Sequence, residues 1–222
     1  MTLYHGSEFK IEKPYAGGGK RTNDYGSGFY CTESVDLACE WAVTPQHDGY
    51  ANRYAFDMRG LKVLDLNGEG YCVLHWLSVL LRHRAFDVRY GVATLARPYL
   101  MENFAVDVSK YDVIRGYRAD DSYFSFAQDF LSGTISYPQL TVAMRLGKLG
   151  EQIVLKSEEA FARLKFRSAK AATRENWLAA KERRDAAARK DYFDMRKTPY
   201  RLEDLSIQKI MEERIEPGDP RL

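Results

Sequence analysis

Residues 24–32 read Asp24-Tyr-Gly-Ser-Gly-Phe-Tyr-Cys-Thr32, a glycine-flanked turn running into an aromatic, extended stretch. Ser34 follows as a predicted N-cap for a helix to about Val43, in which Val35, Ala38, Trp41 and Ala42 share one apolar face. A turn, a strand and an amphipathic helix in immediate succession place this stretch inside a mixed α+β unit rather than a bundle or a sandwich. Upstream, Thr2 to Tyr4 read as an opening strand that carries Leu3-Tyr-His-Gly-Ser7, and Pro14 to Gly28 as a charged, Gly-rich loop containing Gly17-Gly18-Gly19.

Downstream, the apolar spacing keeps switching between period two and period 3.6. Arg53–Met58 and Leu61–Leu66 have the β-branched and aromatic content of strands, and Arg59-Gly60 between them predicts a hairpin. Tyr71–Arg84 and Val92–Val106 read as helices, the second broken or kinked by Pro98. Tyr111–Tyr117 is a strand, Ser122–Leu131 and Ser136–Leu146 are short helices, and Gln152–Lys156 with Leu164–Arg167 complete the strands.

The chain of 222 residues, 45% hydrophobic and 13% aromatic, has ample material for a core. It contains no run approaching the ~20 apolar residues of a membrane span and no secretory leader pattern, so a soluble cytoplasmic protein is expected. Three cysteines, Cys31, Cys39 and Cys72, without a C-x-x-C pair suggest reduced core thiols, and His5, His47, His75 and His83 lack ligand spacing with them, so no metal is expected. The net charge of +2 excludes a uniformly basic nucleic-acid coat. Between Lys165 and Lys197, however, eleven Lys/Arg face five Asp/Glu, and Glu175–Lys190 is a strong helix former. These features predict a main domain over 1–168 and a basic helical extension over 169–222 whose last residues fray, although Leu205, Ile207, Ile210 and Met211 could dock. Such a basic face would suit RNA or DNA; a solvated helix carrying i,i+4 ion pairs is the plainer reading, and Tyr192 and Phe193 could anchor it.

His5-Gly-Ser7, the later Gly28-Phe-Tyr30 strand with its helix, and the late strand Gln152-Ile-Val-Leu155 form an ordered set. This set resembles the NAD-binding core of the ADP-ribosyltransferase superfamily, in particular the His-Tyr-Glu branch of diphtheria toxin and the poly(ADP-ribose) polymerases. It is similar also to an uncharacterised bacterial family related to that branch, with relatives among toxins of toxin-antitoxin and phage-defence systems. The resemblance spans Leu3 to about Phe166 and implies a split mixed β-sheet core with flanking helices. It implies NAD as substrate, no metal, a protein, RNA or DNA acceptor, and an antitoxin among the partners.

Residue by residue, the resemblance implies that His5 holds the adenosine ribose while the Gly6 backbone approaches the nicotinamide amide. Tyr30 would stack on the nicotinamide ring, with Tyr25 a second platform; Ser7 and Phe29 complete the two clasping segments. Arg21 could grip the pyrophosphate, and Asp24 lies on the same loop. The catalytic glutamate of the branch has two candidate registers here, Glu151 and Gln152. Alternation along a strand lets only one of them enter the cleft, and Gln152 fits the bacterial pattern better. An amide can hold a ribose hydroxyl but supplies no charge to an oxocarbenium-like state. Asp120 or Asp121 could supply a carboxylate to activate an acceptor, or cap the helix near Ser122. The plainer readings are a structural His5, a simple Gly-Ser-Gly turn, and Phe29 and Tyr30 as core aromatics.

Two expectations follow: an NAD-dependent mono-ADP-ribosyltransferase, or a catalytically silent nucleotide- or partner-binding module. RNA 2′-phosphotransferases share the implied architecture and would need a basic phosphate pocket.

Overall fold

The computed structural model describes residues 1–119, 121–146 and 150–222, with the side chains of residues 121 and 122 outside the described set. Among the described residues seven strands form two sheets. The first is antiparallel, with β1 (Thr2–Ser7) beside β3 (Gly49–Phe56) and β7 (Leu164–Ala172) on its far side. The second has the order β2 (Phe29–Cys31), β6 (Glu151–Leu155), β5 (Val113–Tyr117), β4 (Val63–Asp65), parallel at β4/β5 and antiparallel elsewhere. The chain is therefore of the α+β class. Among the described residues a bridge joins the sheets, in which the amides of Tyr4 and Thr32 each donate to the other's carbonyl at 2.8 and 2.9 Å.

Between the sheets Leu3, Phe29, Cys31, Tyr54, Phe56, Ile153 and Leu155 form one apolar cluster, which fixes their facing surfaces. On the other side of the second sheet, α2 (Val73–His83), α3 (Ala93–Asn103), α4 (Asp121–Leu131), α5 (Tyr137–Ala143) and α8 (Ile207–Glu212) bury the larger core around Trp76, Phe104, Phe126 and Phe130. Helix α1 (Val35–Ala42) starts where the sequence predicts: the Ser34 hydroxyl accepts from the Leu37 amide at 3.3 Å. It lies against β1 so closely that a Cβ on Gly6 would sit 2.1 Å from the Ala38 carbonyl oxygen. The glycine of His-Gly-Ser thus has a packing reason before it has any other.

The sequence expectation at Arg59-Gly60 is corrected. The predicted hairpin does not form: β3 and β4 lie in different sheets, and β4 pairs parallel with β5. The Met58–Lys62 stretch therefore crosses between sheets, which a two-residue turn read locally cannot reveal. The boundary at 168 falls inside β7, which pairs with β3 over its length to Ala172.

The extension is also packed rather than appended. Helix α7 (Arg174–Arg196) stacks Tyr192 on Phe126 at 3.8 Å and places Arg184 Nε 2.8 Å from Glu40 of α1. Phe193, the other expected anchor, is exposed. The tail does not fray: Leu205, Ile207, Ile210 and Ile215 are buried in the larger core, and the Tyr137 hydroxyl donates to the Leu222 carbonyl at 2.7 Å. Helix α6 (Glu158–Ala162), capped by Ser157, closes the connection from β6 to β7.

Candidate functional site

A cavity of about 610 Å³ opens where the end of β1, the start of β2, the 13–28 loop, α1 and the start of β6 meet. It is of ligand size. Strands β1 and β2 bring His5, Gly6, Phe29 and Tyr30 to it, and β6 brings Gln152.

His5 is held from two sides. Its ring stacks on Phe29 at 4.1 Å, and Nδ1 lies 2.7 Å from the Tyr30 carbonyl. A carbonyl can only accept, so Nδ1 carries the proton and Nε2 is left as an acceptor. Burial lowers the imidazole pKa below its usual 6.5, and the Tyr30 carbonyl only partly offsets that, so the ring is neutral at physiological pH.

Tyr30 is tied through its phenol. The hydroxyl donates to the Gly26 carbonyl at 2.6 Å and accepts from the Tyr25 amide at 3.0 Å, which folds the Gly26-Ser-Gly28 turn onto the ring. Burial holds the phenol above its ordinary pKa, so the side chain is neutral at physiological pH. Lys156 clamps the same turn, its ammonium donating to the carbonyls of Tyr25 at 2.7 Å and Ser27 at 2.5 Å. Gly19 lets the earlier loop close over this turn: its φ is +93° and a Cβ would lie 2.6 Å from the Gly28 carbonyl oxygen.

The register of β6 separates the two rival residues. Gln152 pairs with Gly116, is 4% exposed and lines the cavity. Glu151 pairs with Tyr117 and projects from the opposite face, where it accepts from Asn67 at 2.9 Å and pairs with Arg115. Partial burial would raise the Glu151 carboxyl, but the bonds from Asn67 and Arg115 prevail and hold it below the usual glutamate value. Glu151 is thus no part of the cavity.

Beside Gln152 in the same lining stands Asp24, 5% exposed. Its Oδ2 accepts from Gln152 Nε2 at 3.1 Å and from the Ala119 amide at 2.9 Å, and its Oδ1 accepts from Arg84 at 3.2 Å. Burial raises this carboxyl above 3.8 and the three donors work against the rise. Arg118 supplies a further cation in the lining, its guanidinium 4.5 Å from the Trp41 ring centre.

The remaining expected site residues lie elsewhere. Tyr25 is fully buried and donates to the Tyr117 carbonyl at 2.6 Å, so it is a core residue and not a second platform. Arg21 is exposed and outside the lining; Lys13, Arg84 and Arg118 provide the cationic groups there. Ser7 is also outside the lining and accepts from the Phe9 amide at 3.2 Å. Asp120 and the Asp121 side chain lie outside the described residues.

Trp41, Arg84 and Arg118 escaped the sequence reading because each belongs to an element unremarkable by itself: an apolar helix face, a helix end and a strand exit. An arginine directly after the apolar α2 was the one local hint of Arg84. Asn52, fully buried, was missed too; its amide donates to the His5 and Phe9 carbonyls at 3.3 and 3.0 Å and fixes the exit of β1.

Among the described residues no cluster of three or more His, Cys, Asp or Glu could hold a metal ion, and no helix is long and apolar enough to cross a membrane. Fold and cavity together define an α+β protein with a ligand-sized crevice that offers aromatic faces, a fixed imidazole, an amide and two guanidinium groups. The chain belongs to the DUF3990 family, proteins of unknown function, whose profile matches residues 1–166. No curated protein and no solved structure matches it.

Proposed function

We propose that this protein is an NAD-dependent mono-ADP-ribosyltransferase of bacterial toxin or phage-defence type, acting on a protein, RNA or DNA acceptor. The observation that carries the reading is the convergence of His5, Tyr30 and Gln152, distant in sequence, on one cavity. In this reading the Tyr30 ring stacks on nicotinamide, His5 Nε2 accepts from a ribose hydroxyl, and the Gln152 carbonyl oxygen accepts from a hydroxyl of the nicotinamide ribose.

The bond between ribose C1′ and the nicotinamide nitrogen then breaks, its electron pair leaving with nicotinamide. Positive charge develops on the sugar, and the acceptor nucleophile bonds to C1′ as its proton passes to solvent. Gln152 contributes no charge, but the Asp24 carboxylate hydrogen-bonded to it in the same lining supplies negative potential to that side of the cavity. Arg84 and Arg118 offer cations to the pyrophosphate.

Labelled NAD incubated with the protein and cellular protein, RNA or DNA tests this reading, label transfer with nicotinamide release being the expected outcome. His5→Ala and Tyr30→Ala are each expected to weaken NAD binding by ~1–3 kcal/mol. Absence of both transfer and nicotinamide release in every mixture counts against the reading. A second reading, a silent NAD- or partner-binding module, is favoured by the uncharged Gln152. It is distinguished by calorimetric NAD binding without any nicotinamide release.

A further inference from the structure

The Gln152 amide meets the protein at one end alone. Its Nε2 donates to Asp24 at 3.1 Å, whereas Oε1 is buried with no hydrogen-bond partner among the described residues, on a side chain that lines the cavity and is 4% exposed. A buried carbonyl oxygen without a partner costs free energy, so an acceptor left open at a cavity wall points to something that donates to it.

The orientation of this amide is dictated by Asp24. Three donors converge on that carboxylate, from Ala119, Arg84 and Gln152. A carboxylate surrounded by donors is an acceptor only, so the nitrogen of Gln152 must face it and the oxygen must face away. Without Asp24, the same amide could turn and present either a donor or an acceptor.

We propose that Asp24 is a positioning residue that locks the Gln152 amide with its oxygen toward the ligand, so that the cavity selects a hydroxyl or amide N–H at this point. A phosphate or carboxylate oxygen, which only accepts, is excluded there and is left to Arg84 and Arg118. The assignment of that hydroxyl to the nicotinamide ribose rests on the transferase reading; the locking of the amide does not.

The side-chain amide resonances of the ¹⁵N-labelled full-length protein test the lock directly. In the wild type, the two Gln152 protons are expected at well-separated shifts, one of them slow to exchange. Asp24→Ala is expected to bring them to solvent-like values with fast exchange. Asp24→Asn is expected to preserve the wild-type pattern, because its carbonyl oxygen can keep the contacts to Ala119 and Gln152 while the 29%-exposed Arg84 side chain swings outward. An unchanged Gln152 amide in Asp24→Ala overturns the proposal.

Should Asp24→Ala fail to fold, the reciprocal exchange decides. Gln152→Glu alone sets two carboxylates together and is expected to lower the urea midpoint at pH 7, and adding Asp24→Asn is expected to restore most of the loss. Strict additivity of the two substitutions overturns the proposal.

Binding separates this proposal from the transferase reading. Wild-type protein is expected to prefer NAD about tenfold over the analogue lacking the 2′-hydroxyl of the nicotinamide ribose, and Asp24→Ala to erase that preference. If the wild type binds no NAD while its Gln152 resonances behave as described, the transferase reading falls and the lock stands. If NAD binds and turns over while the amide is indifferent to Asp24, the lock falls and the reading stands.

Discussion

Asp24 and Gln152 are 128 residues apart in sequence, yet the amide nitrogen of one lies 3.1 Å from a carboxylate oxygen of the other, joining the glycine-rich loop to the start of β6. The contact explains how an amide can occupy a position at which the transferase reading wants charge: the charge stands beside it in the same cavity wall, on a largely buried side chain.

Placing a carboxylate on the strand itself therefore has a cost. Gln152→Glu is expected to be less stable than wild type at pH 7 by ~1–3 kcal/mol, since two buried carboxyls in contact cannot both ionise freely. The pair holds a proton more tightly folded than unfolded, so the variant's stability is full below the ordinary carboxylate range and falls as pH rises toward neutrality. Urea unfolding at several pH values measures this, and a gap to wild type that widens on acidification would contradict it.

Glu151→Gln is expected to leave nicotinamide release within twofold of wild type. Its carboxylate pairs with Arg115 and Asn67 on the opposite face, and the substitution is expected to cost no more than about 1 kcal/mol of stability. Loss of turnover without loss of folding would move the site to that face.

Gly6→Ala tests packing and not chemistry. The added methyl would meet the Ala38 carbonyl, the Trp41 Cβ and the Ala42 amide, all within 2.9 Å, so α1 must shift. A destabilisation of about 2–3 kcal/mol is expected from thermal or chemical unfolding. Wild-type stability in this variant would show that α1 is not seated on β1 as described.

Arg118→Met removes a cation from the cavity and its stacking on Trp41. NAD binding is expected to weaken about tenfold, with a flatter dependence on ionic strength than wild type shows. Titrations at low and high salt give both readouts; an unaltered salt dependence would place the pyrophosphate elsewhere.

Histidine titration gives a pH signature. Burial lowers His5, His75 and His83 below 6.5, with the nearby Lys156 and Arg82 charges adding to the effect at His83. Each takes up a proton more readily unfolded than folded, so stability is fully present above about pH 6.5 and falls as pH drops below it. Asp24 runs the other way: its raised carboxyl contributes stability below 3.8 that is lost as pH climbs, so it cannot produce the acid-side loss. Ring-proton NMR is expected to give midpoints below 6.5 for all three histidines, alongside falling denaturation midpoints between pH 6.5 and 5.

Elements were legible wherever local chemistry decides them. The cap at Ser34, the helix of Val73–His83 with its apolar face, and the extended Phe29–Cys31 follow from side-chain hydrogen bonding and periodicity, which act over a few residues. The supposed hairpin at Arg59-Gly60 failed because strand content does not say which sheet a strand joins. Tyr25 failed as a platform because a tyrosine beside a glycine turn reads alike whether its ring faces a cleft or, as here, the core.

The sequence by itself determined the α+β class, most of the elements and the alternation that forces Glu151 and Gln152 onto opposite faces, since all three depend on period and propensity. Tertiary structure alone decided which of the two enters the cavity, that Lys13, Arg84 and Arg118 rather than Arg21 supply its cations, and that Asp24 governs the Gln152 amide. Those outcomes rest on contacts across 60 to 128 residues of chain, Asp24 with Arg84 at the near end and Asp24 with Gln152 at the far end. The pairing of β2 and β5 with β6, and the packing of α2 on that sheet, bring such groups within hydrogen-bonding reach.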